Sequence, residues 1–308
     1  MAEKGLIQEI LSEKNMYDAW DQVRKGKGKP GPDEWNVCRW NRNWEENIQR
    51  LREQVLNNTY NPARPKRIQI RKKNGGYREI CLFNVGDKVL QRAVLNIVNN
   101  IVDPKFLECS HAYRPHRSCA TAIQQVLNYR DSGYRVIFEA DIESCFENID
   151  QEILMNRIKK WLPDWTVLRL IQLWLICGRK YKKQAIGIPQ GMIVSPLLCN
   201  IYLHTFDLKM ISGGWRLVRY ADDFIVQCEY EEEAQYAWHH SQSILQKLML
   251  NFSMEKTGIC DFNRGFLFLG AHFLGNTFSY VHQNKQICVS GRDTRMLFRN
   301  PPQFYGWY

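Results

Sequence analysis

Apolar residues recur every three or four positions over long stretches of this 308-residue chain. That spacing places them on one face of a helix, so it predicts helices wherever it persists. At one of these helices, Ser195 is expected to be the N-terminal cap and Pro196 the first helical residue. The predicted helices cover residues 4–24, 40–55, 89–101, 120–127, 151–161, 166–177, 196–202 and 231–249.

Alternating or short apolar runs bounded by turn residues predict strands elsewhere. Residues 65–82 indicate a β-hairpin around Asn74-Gly75-Gly76, and residues 134–142 indicate a strand that carries Asp141 near its end. Residues 217–226 suit a buried hairpin with Ala221-Asp222-Asp223 at its turn. A short glycine-bounded strand is expected at 265–270, and weaker strands at 277–281 and 286–289.

Composition narrows the class of protein. The chain is 44% apolar and 24% charged, as in globular proteins, and it is long enough for more than one domain. A net charge of +10 with 12% aromatic residues favours a nucleic-acid partner, although a basic protein can also simply be basic. The cysteines form no C-x-x-C pair, so a zinc site is not expected. No apolar run approaches the about 18–20 residues of a membrane span, and the polar start suggests a cytoplasmic protein without a membrane partner.

Three basic segments suit phosphate contacts, although each has a plainer explanation. Residues 24–32 fit either a phosphate-contacting loop or a solvated linker. In the loop 110–118, Arg114 and Arg117 could clamp a phosphate near a helix N-terminus, or Ser118 could merely cap that helix. The 65–82 hairpin suits a triphosphate or a nucleic-acid backbone, or it is simply an exposed solubilising hairpin. Its basic residues are Lys66, Arg67, Arg71, Lys72, Lys73 and Arg78.

Two adjacent carboxylates, Asp222 and Asp223, lie between buried apolar runs. Like charges this close raise each other's pKa unless a cation lies between them. Hard carboxylate oxygens suit Mg²⁺, whereas a polar turn would equally contain Asp. The hairpin alone leaves both explanations open.

Asp141 changes this balance. The elements of this part of the chain follow the order found in a polymerase palm: a strand that ends in Asp141, two helices, a Pro-Gln-Gly turn and then the Asp222-Asp223 hairpin. There, three carboxylates on neighbouring strands hold two Mg²⁺ ions for nucleotidyl transfer.

Motifs along nearly the whole chain resemble those of reverse transcriptases, specifically the bacterial group II intron-like lineage. They are IRKKNGGYRE, VGDKVLQRAV, AYRPHRS, EADIESCFENID, GIPQGMIVSPLLCNIYL, RYADD, NFSMEKT and GFLFLGAHF, with the basic loop before them. The stretch from Tyr129 to Asp150, together with LHTFD, looks more like the branch found at CRISPR adaptation loci. Two positions depart from the pattern: Arg71 stands where Pro is usual, and Cys145 where Phe is common.

The resemblance implies roles for individual residues. Asp141, Asp222 and Asp223, with the Ile142 carbonyl, would bind two Mg²⁺ ions, for which Mn²⁺ can substitute. Phe146 would lie under the sugar and exclude a 2′-hydroxyl, although it could also be an ordinary core residue. The other nucleotide-binding residues would be Lys72, Arg78, Gln190 and Lys256. The template or primer would contact Arg114, Arg117, Gly265, Phe266, Leu267 and Gly270.

The implied fold is α+β, the fingers and palm of a right-hand polymerase, with an antiparallel palm sheet backed by helices. Residues 1–60 would be a helical extension with the basic loop, residues 61–133 with parts of 160–190 the fingers, and residues 134–275 the palm. Residues 276–308 are too few for a complete thumb, so the thumb is expected to be absent or truncated. This segment would be the start of a thumb or a partner-docking tail.

The implied function is RNA-directed DNA synthesis from an RNA template, a DNA or RNA primer and dNTPs. It would serve a CRISPR adaptation complex, with an integrase as partner, or a related mobile or antiviral defence element. One alternative is an intron maturase, an RNA-binding splicing cofactor with weak or vestigial polymerase activity, whose partner would be an intron RNA. Another is an RNA-copying RNA polymerase, against which Phe146 and the Tyr-Ala-Asp-Asp sequence argue.

Overall fold

The computed structural model describes residues 5–26, 28–71, 75–181, 183–283, 285–290 and 294–302. The chain divides into two compact units: unit 1 contains residues 1–105 and 146–202, and unit 2 contains residues 106–145 and 203–308. Within the described ranges, no helix combines the length and apolar character needed to cross a bilayer.

The helices are α1 (Leu6–Ile10), α2 (Glu13–Arg24), α3 (Val37–Asn41), α4 (Trp44–Leu56), α5 (Val85–Val102), α6 (Cys119–Asp131), α7 (Cys145–Asn148), α8 (Gln151–Trp161), α9 (Trp165–Cys177), α10 (Ser195–Ser212), α11 (Glu231–Lys247) and α12 (Arg295–Arg299). The strands are β1 (Lys66–Arg71), β2 (Tyr77–Leu82), β3 (Val136–Asp141), β4 (Arg216–Tyr220), β5 (Asp223–Cys228), β6 (Gly258–Asp261), β7 (Phe266–Phe268), β8 (Ala271–Leu274), β9 (Thr277–His282) and β10 (Lys285–Ser290). Short 3₁₀ turns occupy Asp103–Lys105 and Met254–Lys256.

Unit 1 contains a helical layer centred on α5, against which α1, α2 and α4 pack. Asn15 of α2 is buried and donates its side-chain amide to the carbonyls of Ile10 (2.8 Å) and Ala93 (2.9 Å), which joins three helices. The helix predicted over residues 4–24 is interrupted because the Ser12 hydroxyl accepts a hydrogen bond from Asn15 N–H and so starts α2 as a new helix.

The β1–β2 hairpin of unit 1 confirms the hairpin predicted at residues 65–82, with Ile70 opposite Arg78. Gly75 and Gly76 have φ values of 88° and 74°, in the left-handed region that glycine tolerates. Ser195 differs from its prediction. It is the first residue of α10 and does not precede the helix as a cap, and its hydroxyl donates to the Pro189 carbonyl at 2.7 Å.

The main sheet of unit 2 has the antiparallel order β4-β5-β3-β6, as expected for a palm. Successive residues of a strand face opposite sides, so the sheet needs two covering layers. Ile137 belongs to a core cluster with residues of α6 on one face. On the other face Phe138 stacks on Trp238 of α11, with ring centroids 5.5 Å apart.

A second antiparallel sheet in unit 2 has the order β10-β9-β8-β7. It confirms the weak strands predicted at 277–281 and 286–289. Its buried face carries stacked rings, with Phe266 and Phe273 4.8 Å apart and Phe278 and Tyr280 6.1 Å apart. Strands β6 and β8 were not predicted, because four-residue strands show too little alternation to be recognised.

Candidate active site

The acidic hairpin of unit 2 is formed by β4 and β5, joined by Ala221 and Asp222. Tyr220 pairs with Asp223 across this hairpin, so Asp223 begins β5 and is not part of the turn itself. Asp141, the last residue of β3, lies directly opposite Asp223 in the antiparallel β3–β5 register. Sheet pairing therefore brings Asp141 and Asp223 together at one end of the sheet, with Asp222 in the adjoining turn.

Backbone hydrogen bonds hold this end of the sheet. Ile142 N–H donates to the Asp222 carbonyl at 3.0 Å, which joins the end of β3 to the turn. Ser253 N–H donates to the Asp141 carbonyl at 2.8 Å, and Ile142 forms an isolated antiparallel bridge with Phe252. The carboxylates are thus carried by a backbone that is fixed on several sides, as a catalytic site requires.

The surroundings of Asp222 and Asp223 disfavour their charges. Asp222 is 5% exposed, and its Oδ1 atom is buried without a hydrogen-bond partner. Burial and then the charge of Asp141 raise the pKa of Asp222 well above its ordinary value. Burial, followed by the Asp141 charge, also raises the pKa of Asp223 to about 7. A cation bound between these carboxylates would favour their ionised forms and so lower both pKa values.

Lys256 places one positive charge next to the carboxylates. Its Nζ atom donates to Asp141 Oδ2 at 3.0 Å. Burial by itself would lower the pKa of the Lys256 ammonium, but the hydrogen bond to Asp141 and the nearby aspartate charges raise it overall. Lys256 therefore remains protonated beside Asp141 at neutral pH.

A divalent cation fits the chemistry of these residues. The donors are hard oxygens, which suit Mg²⁺. The buried Oδ1 of Asp222 has no hydrogen-bond partner, and a bound ion would supply one. Within the described ranges, however, no three His, Cys, Asp or Glu side chains already form a group that could hold an ion. Lys256 pairs with Asp141, and the aspartate carboxylates repel one another. Both effects keep these side chains from already being arranged as a set of metal ligands.

The candidate nucleotide-binding residues Arg78, Phe146 and Gln190 belong to unit 1, and Lys72 lies outside the described residues. The Gln190 carbonyl accepts a hydrogen bond from Cys81 N–H at 2.7 Å, and the Gln190 amide donates to Glu147 Oε1 at 3.2 Å. Arg78 lies on β2, the strand that contains Cys81. The Pro-Gln-Gly turn and the fingertip hairpin are thereby joined within one unit.

Phe146 is 4% exposed, and its carbonyl accepts a hydrogen bond from Ile188 N–H at 2.7 Å. Its backbone therefore supports the segment that leads into the Pro-Gln-Gly turn. Burial of the ring is compatible with the core role and with a ring that lies under a sugar, so the gate role stays a prediction.

The basic loop before α6 is organised by its own contacts. Ser118 and Thr121 form a capping box, which is the capping alternative for Ser118. Arg114 Nη1 donates to the carbonyls of Leu107 (2.7 Å) and Ser110 (2.9 Å), and Arg117 pairs with Glu108. Both guanidinium groups thus have protein partners, and their contact with template or primer stays a prediction.

The predicted primer-contacting strand is β7, next to Gly265 (φ 83°) and followed by Leu269 and Gly270 (φ 75°). Phe266 is 5% exposed and packs in the core, whereas Leu267 is 66% exposed on the opposite face. A side-chain contact with nucleic acid can therefore come from Leu267 but not from Phe266, because residues of a strand alternate between its faces.

The family model for "Reverse transcriptase (RNA-dependent DNA polymerase)" matches residues 70–273, which is more than half of the chain. The chain belongs to the reverse transcriptase family. The matched segment includes the three candidate carboxylates, and it confirms the family resemblance seen in the motifs.

Relatives of this reverse transcriptase chain include the group II intron-encoded protein LtrA of Lactococcus lactis, which is 38% identical over 193 residues. That alignment covers 61% of this chain and 32% of LtrA, so the chain spans about a third of the length of this curated relative.

Among solved structures, telomerase from Candida albicans in complex with a TWJ fragment of telomeric RNA matches with a TM-score of 0.54 at 14% identity. The match covers 77% of this chain and 48% of that one, and it supports the polymerase fold. A partial Cas6-RT-Cas1–Cas2 complex also matches, at 25% identity over 80% of this chain and 42% of that one, with a TM-score of 0.47.

The buried polar residues that support the acidic hairpin of this reverse transcriptase were not predicted from the sequence. Arg219, Asp207 and Ser110 are buried and form a connected hydrogen-bond network. The available signal was Arg219 itself, a charge between the apolar pair Leu217-Val218 and Tyr220. A charge in such a position is buried only with partners.

Proposed function

We propose that this chain is the polymerase part of an RNA-directed DNA polymerase that makes cDNA by nucleotidyl transfer. The observation that carries the proposal is the position of Asp141 directly across from Asp223, with buried Asp222 in the adjoining turn. A polar turn explains one exposed carboxylate, but it does not explain three that converge at the end of a buried sheet. Membership of the reverse transcriptase family supports the same conclusion.

The side chains of Asp141, Asp222 and Asp223 and the Ile142 carbonyl would hold two Mg²⁺ ions, for which Mn²⁺ can substitute. When bound, such ions activate the primer 3′-hydroxyl and neutralise charge on the triphosphate and the leaving pyrophosphate. Lys256 holds a proton on Nζ beside Asp141, and we assign it to the pyrophosphate side of the reaction.

The remaining roles follow the family motifs. Lys72 and Arg78 would hold the triphosphate, Gln190 would lie beside the incoming dNTP, and Phe146 would exclude ribonucleotides. The nucleic-acid strands would contact Arg114, Arg117 and the segment from Gly265 to Gly270, through Leu267 and backbone groups in the latter. Residues 61–133 with parts of 160–190 would be the fingers and residues 134–275 the palm.

The biological setting is the finer part of the proposal. We assign the protein to the cytoplasm, with an RNA template, a DNA or RNA primer and dNTPs as its substrates. The stretch from Tyr129 to Asp150 and the LHTFD motif favour a CRISPR adaptation locus and its integrase as the partner. An intron RNA is the alternative partner, because a 38% identical relative is a group II intron-encoded protein.

Primer extension on an RNA template with Mg²⁺ tests the activity. The wild-type chain is expected to incorporate dNTPs in preference to NTPs, and Asp222→Ala should lose activity by orders of magnitude. Asp150→Asn is the matched control, because the Asp150 side chain caps α8 and Asn is an equally good cap.

Each other outcome has a definite meaning. Incorporation of NTPs alone would identify an RNA-copying RNA polymerase. Tight binding of a structured intron RNA by a wild-type chain that incorporates nothing would favour the maturase alternative. Full activity in Asp222→Ala would contradict the assignment of the carboxylates.

A further inference from the structure

A fully buried ion pair lies beneath the acidic hairpin in unit 2. Arg219 on β4 and Asp207 on α10 are both 0% exposed. The pair is bidentate: Arg219 Nε donates to Asp207 Oδ1 and Nη2 to Asp207 Oδ2, each at 2.6 Å. This geometry fixes both the position and the plane of the guanidinium group.

The guanidinium group then reaches the turn that carries Asp222. Arg219 Nη1 donates to the Ala221 carbonyl at 2.9 Å, and Nη2 donates to Ser110 Oγ at 2.8 Å. Ala221 has a φ of 61°, in the left-handed region that a residue other than glycine keeps only where its surroundings hold it. With the Asp222 carbonyl held by Ile142 N–H, both carbonyl groups of the turn are anchored.

The backbone of Arg219 is anchored as well. Its N–H donates to the Cys109 carbonyl at 2.7 Å, and its carbonyl accepts from His111 N–H at 2.9 Å. The base of the side chain is therefore held by the segment around Ser110, and its tip is held by Asp207. An arginine fixed at both ends can transmit position to the Ala221 carbonyl.

Stability alone is a weak reason for such a pair. Removing two charges from water opposes their attraction, and a well-packed apolar pair often stabilises a core equally well. The directed hydrogen bond to Ala221 is what an apolar pair would lack. We propose that Arg219 is a positioning residue: with Asp207 and Ser110, it sets the conformation of the Ala221-Asp222 turn and thereby the direction of the Asp222 carboxylate. This inference rests on the proposed function, since it assigns Asp222 to the metal site.

Arg219→Lys tests the proposal, because an ammonium group can pair with Asp207 but cannot also reach Ala221 and Ser110 in the same plane. Arg130→Lys is the matched control, since Arg130 is 2% exposed in the same unit and pairs with Asp131. Each protein is followed by urea unfolding, by Mn²⁺ binding in electron paramagnetic resonance without nucleic acid, and by primer extension.

Arg219→Lys is expected to weaken Mn²⁺ binding about tenfold and to lower kcat about 100-fold per folded molecule. The KM for dNTP should stay within about threefold of the wild-type value, as expected for a group that acts on positioning alone. In the control Arg130→Lys, the Mn²⁺ affinity and kcat should also stay within about threefold of their wild-type values. Unchanged Mn²⁺ affinity and kcat in folded Arg219→Lys would overturn the proposal. A purely structural role would instead lower the unfolding midpoint and leave Mn²⁺ affinity per folded molecule intact.

Ser110→Ala decides the matter if Arg219→Lys does not fold, because it leaves the Arg219–Asp207 pair in place. It is expected to weaken Mn²⁺ binding about fivefold, less than Arg219→Lys, because Arg219 loses only one of the hydrogen bonds that orient it. A wild-type Mn²⁺ affinity in this variant would contradict the proposal.

Failure of the proposed function can be distinguished from failure of this inference. A wild-type chain that binds Mn²⁺ without extending a primer would refute the polymerase assignment, while the Mn²⁺ affinities of the variants would still report on positioning.

Discussion

The backbone N–H of Cys81 donates a 2.7 Å hydrogen bond to the carbonyl of Gln190. This bond brings strand β2 of the fingertip hairpin against the Pro-Gln-Gly turn, and the next residue of the turn has no room for a side chain. A Cβ atom at Gly191 would lie 2.4 Å from the Cys81 carbonyl oxygen, and Gly191 has a φ of 101°.

Gly191→Ala should therefore destabilise the protein and reduce dNTP use. We expect about 3 kcal/mol from overpacking and backbone strain together, measured by urea unfolding. Gly133→Ala separates the two causes, because Gly133 has a φ of 102° but open space around its Cβ position. Equal destabilisation of both variants would show that contact with Cys81 is not the reason.

A buried carboxyl group in unit 1, that of Asp87, makes stability depend on pH. Asp87 is 6% exposed, accepts a 2.6 Å hydrogen bond from the Tyr60 hydroxyl, and leaves its Oδ2 atom without a partner. Trp174 Nε1 donates to the same Tyr60 hydroxyl at 2.8 Å. Burial raises the pKa of Asp87 from 3.8 to about 6, against the opposing effect of the Tyr60 hydrogen bond.

Because the folded-state pKa of Asp87 is raised, its contribution to stability is complete below about pH 4 and is lost as pH rises through about 6. The free energy of unfolding of the wild type, relative to Asp87→Asn, should fall by about 3 kcal/mol over that window and stay level above it. Urea unfolding from pH 4 to 8 measures the difference. Tyr60→Phe should move the window upward, and parallel curves for wild type and Asp87→Asn would contradict the assignment.

The sequence was sufficient for the elements whose signal is local. Helix periodicity predicted α5 and α9, and turn chemistry predicted the fingertip hairpin. The position of the three aspartates at one end of the sheet could be predicted, because charged residues at the ends of apolar strands are unusual and the family motifs place these strands next to one another. The antiparallel palm sheet followed from the same motifs.

What could not be predicted depends on contacts between distant parts of the chain. Asp207 on α10 and Arg219 on β4 lie 12 residues apart with a turn between the helix and the strand, and no periodicity indicates that a buried arginine will meet a particular aspartate. Ser195 had the sequence of a helix cap, but α10 begins at Ser195 itself, and its hydroxyl donates to the Pro189 carbonyl. Phe266 and Leu267 were assigned one role, although only burial in the folded unit separates their faces.

Selection against ribonucleotides tests the role of Phe146. If its ring lies under the sugar, Phe146→Val should make room for a 2′-hydroxyl and raise the ratio of NTP to dNTP incorporation by about tenfold or more. Steady-state primer extension with each nucleotide measures the ratio of kcat/KM values. Because Phe146 is buried, urea unfolding should be run in parallel. An unchanged ratio in a folded variant would show that Phe146 is only a core residue.

The raised pKa of Asp222 predicts that stability and activity oppose each other at this position. Burial and the charge of Asp141 disfavour the ionised form, so the wild-type chain loses stability as pH rises through that raised pKa. Asp222→Asn removes the charge, so its free energy of unfolding in metal-free buffer near neutral pH should exceed that of the wild type, while primer extension falls by orders of magnitude. Added Mg²⁺ should stabilise the wild type and leave Asp222→Asn unchanged, because a bound ion stabilises only the chain that binds it. Thermal and urea unfolding with EDTA or Mg²⁺ measure both effects, with Asp150→Asn as the control. If Asp222→Asn is less stable than the wild type in EDTA, the electrostatic argument is refuted. If Mg²⁺ stabilises the wild type and Asp222→Asn equally, Asp222 is not a ligand of the metal site.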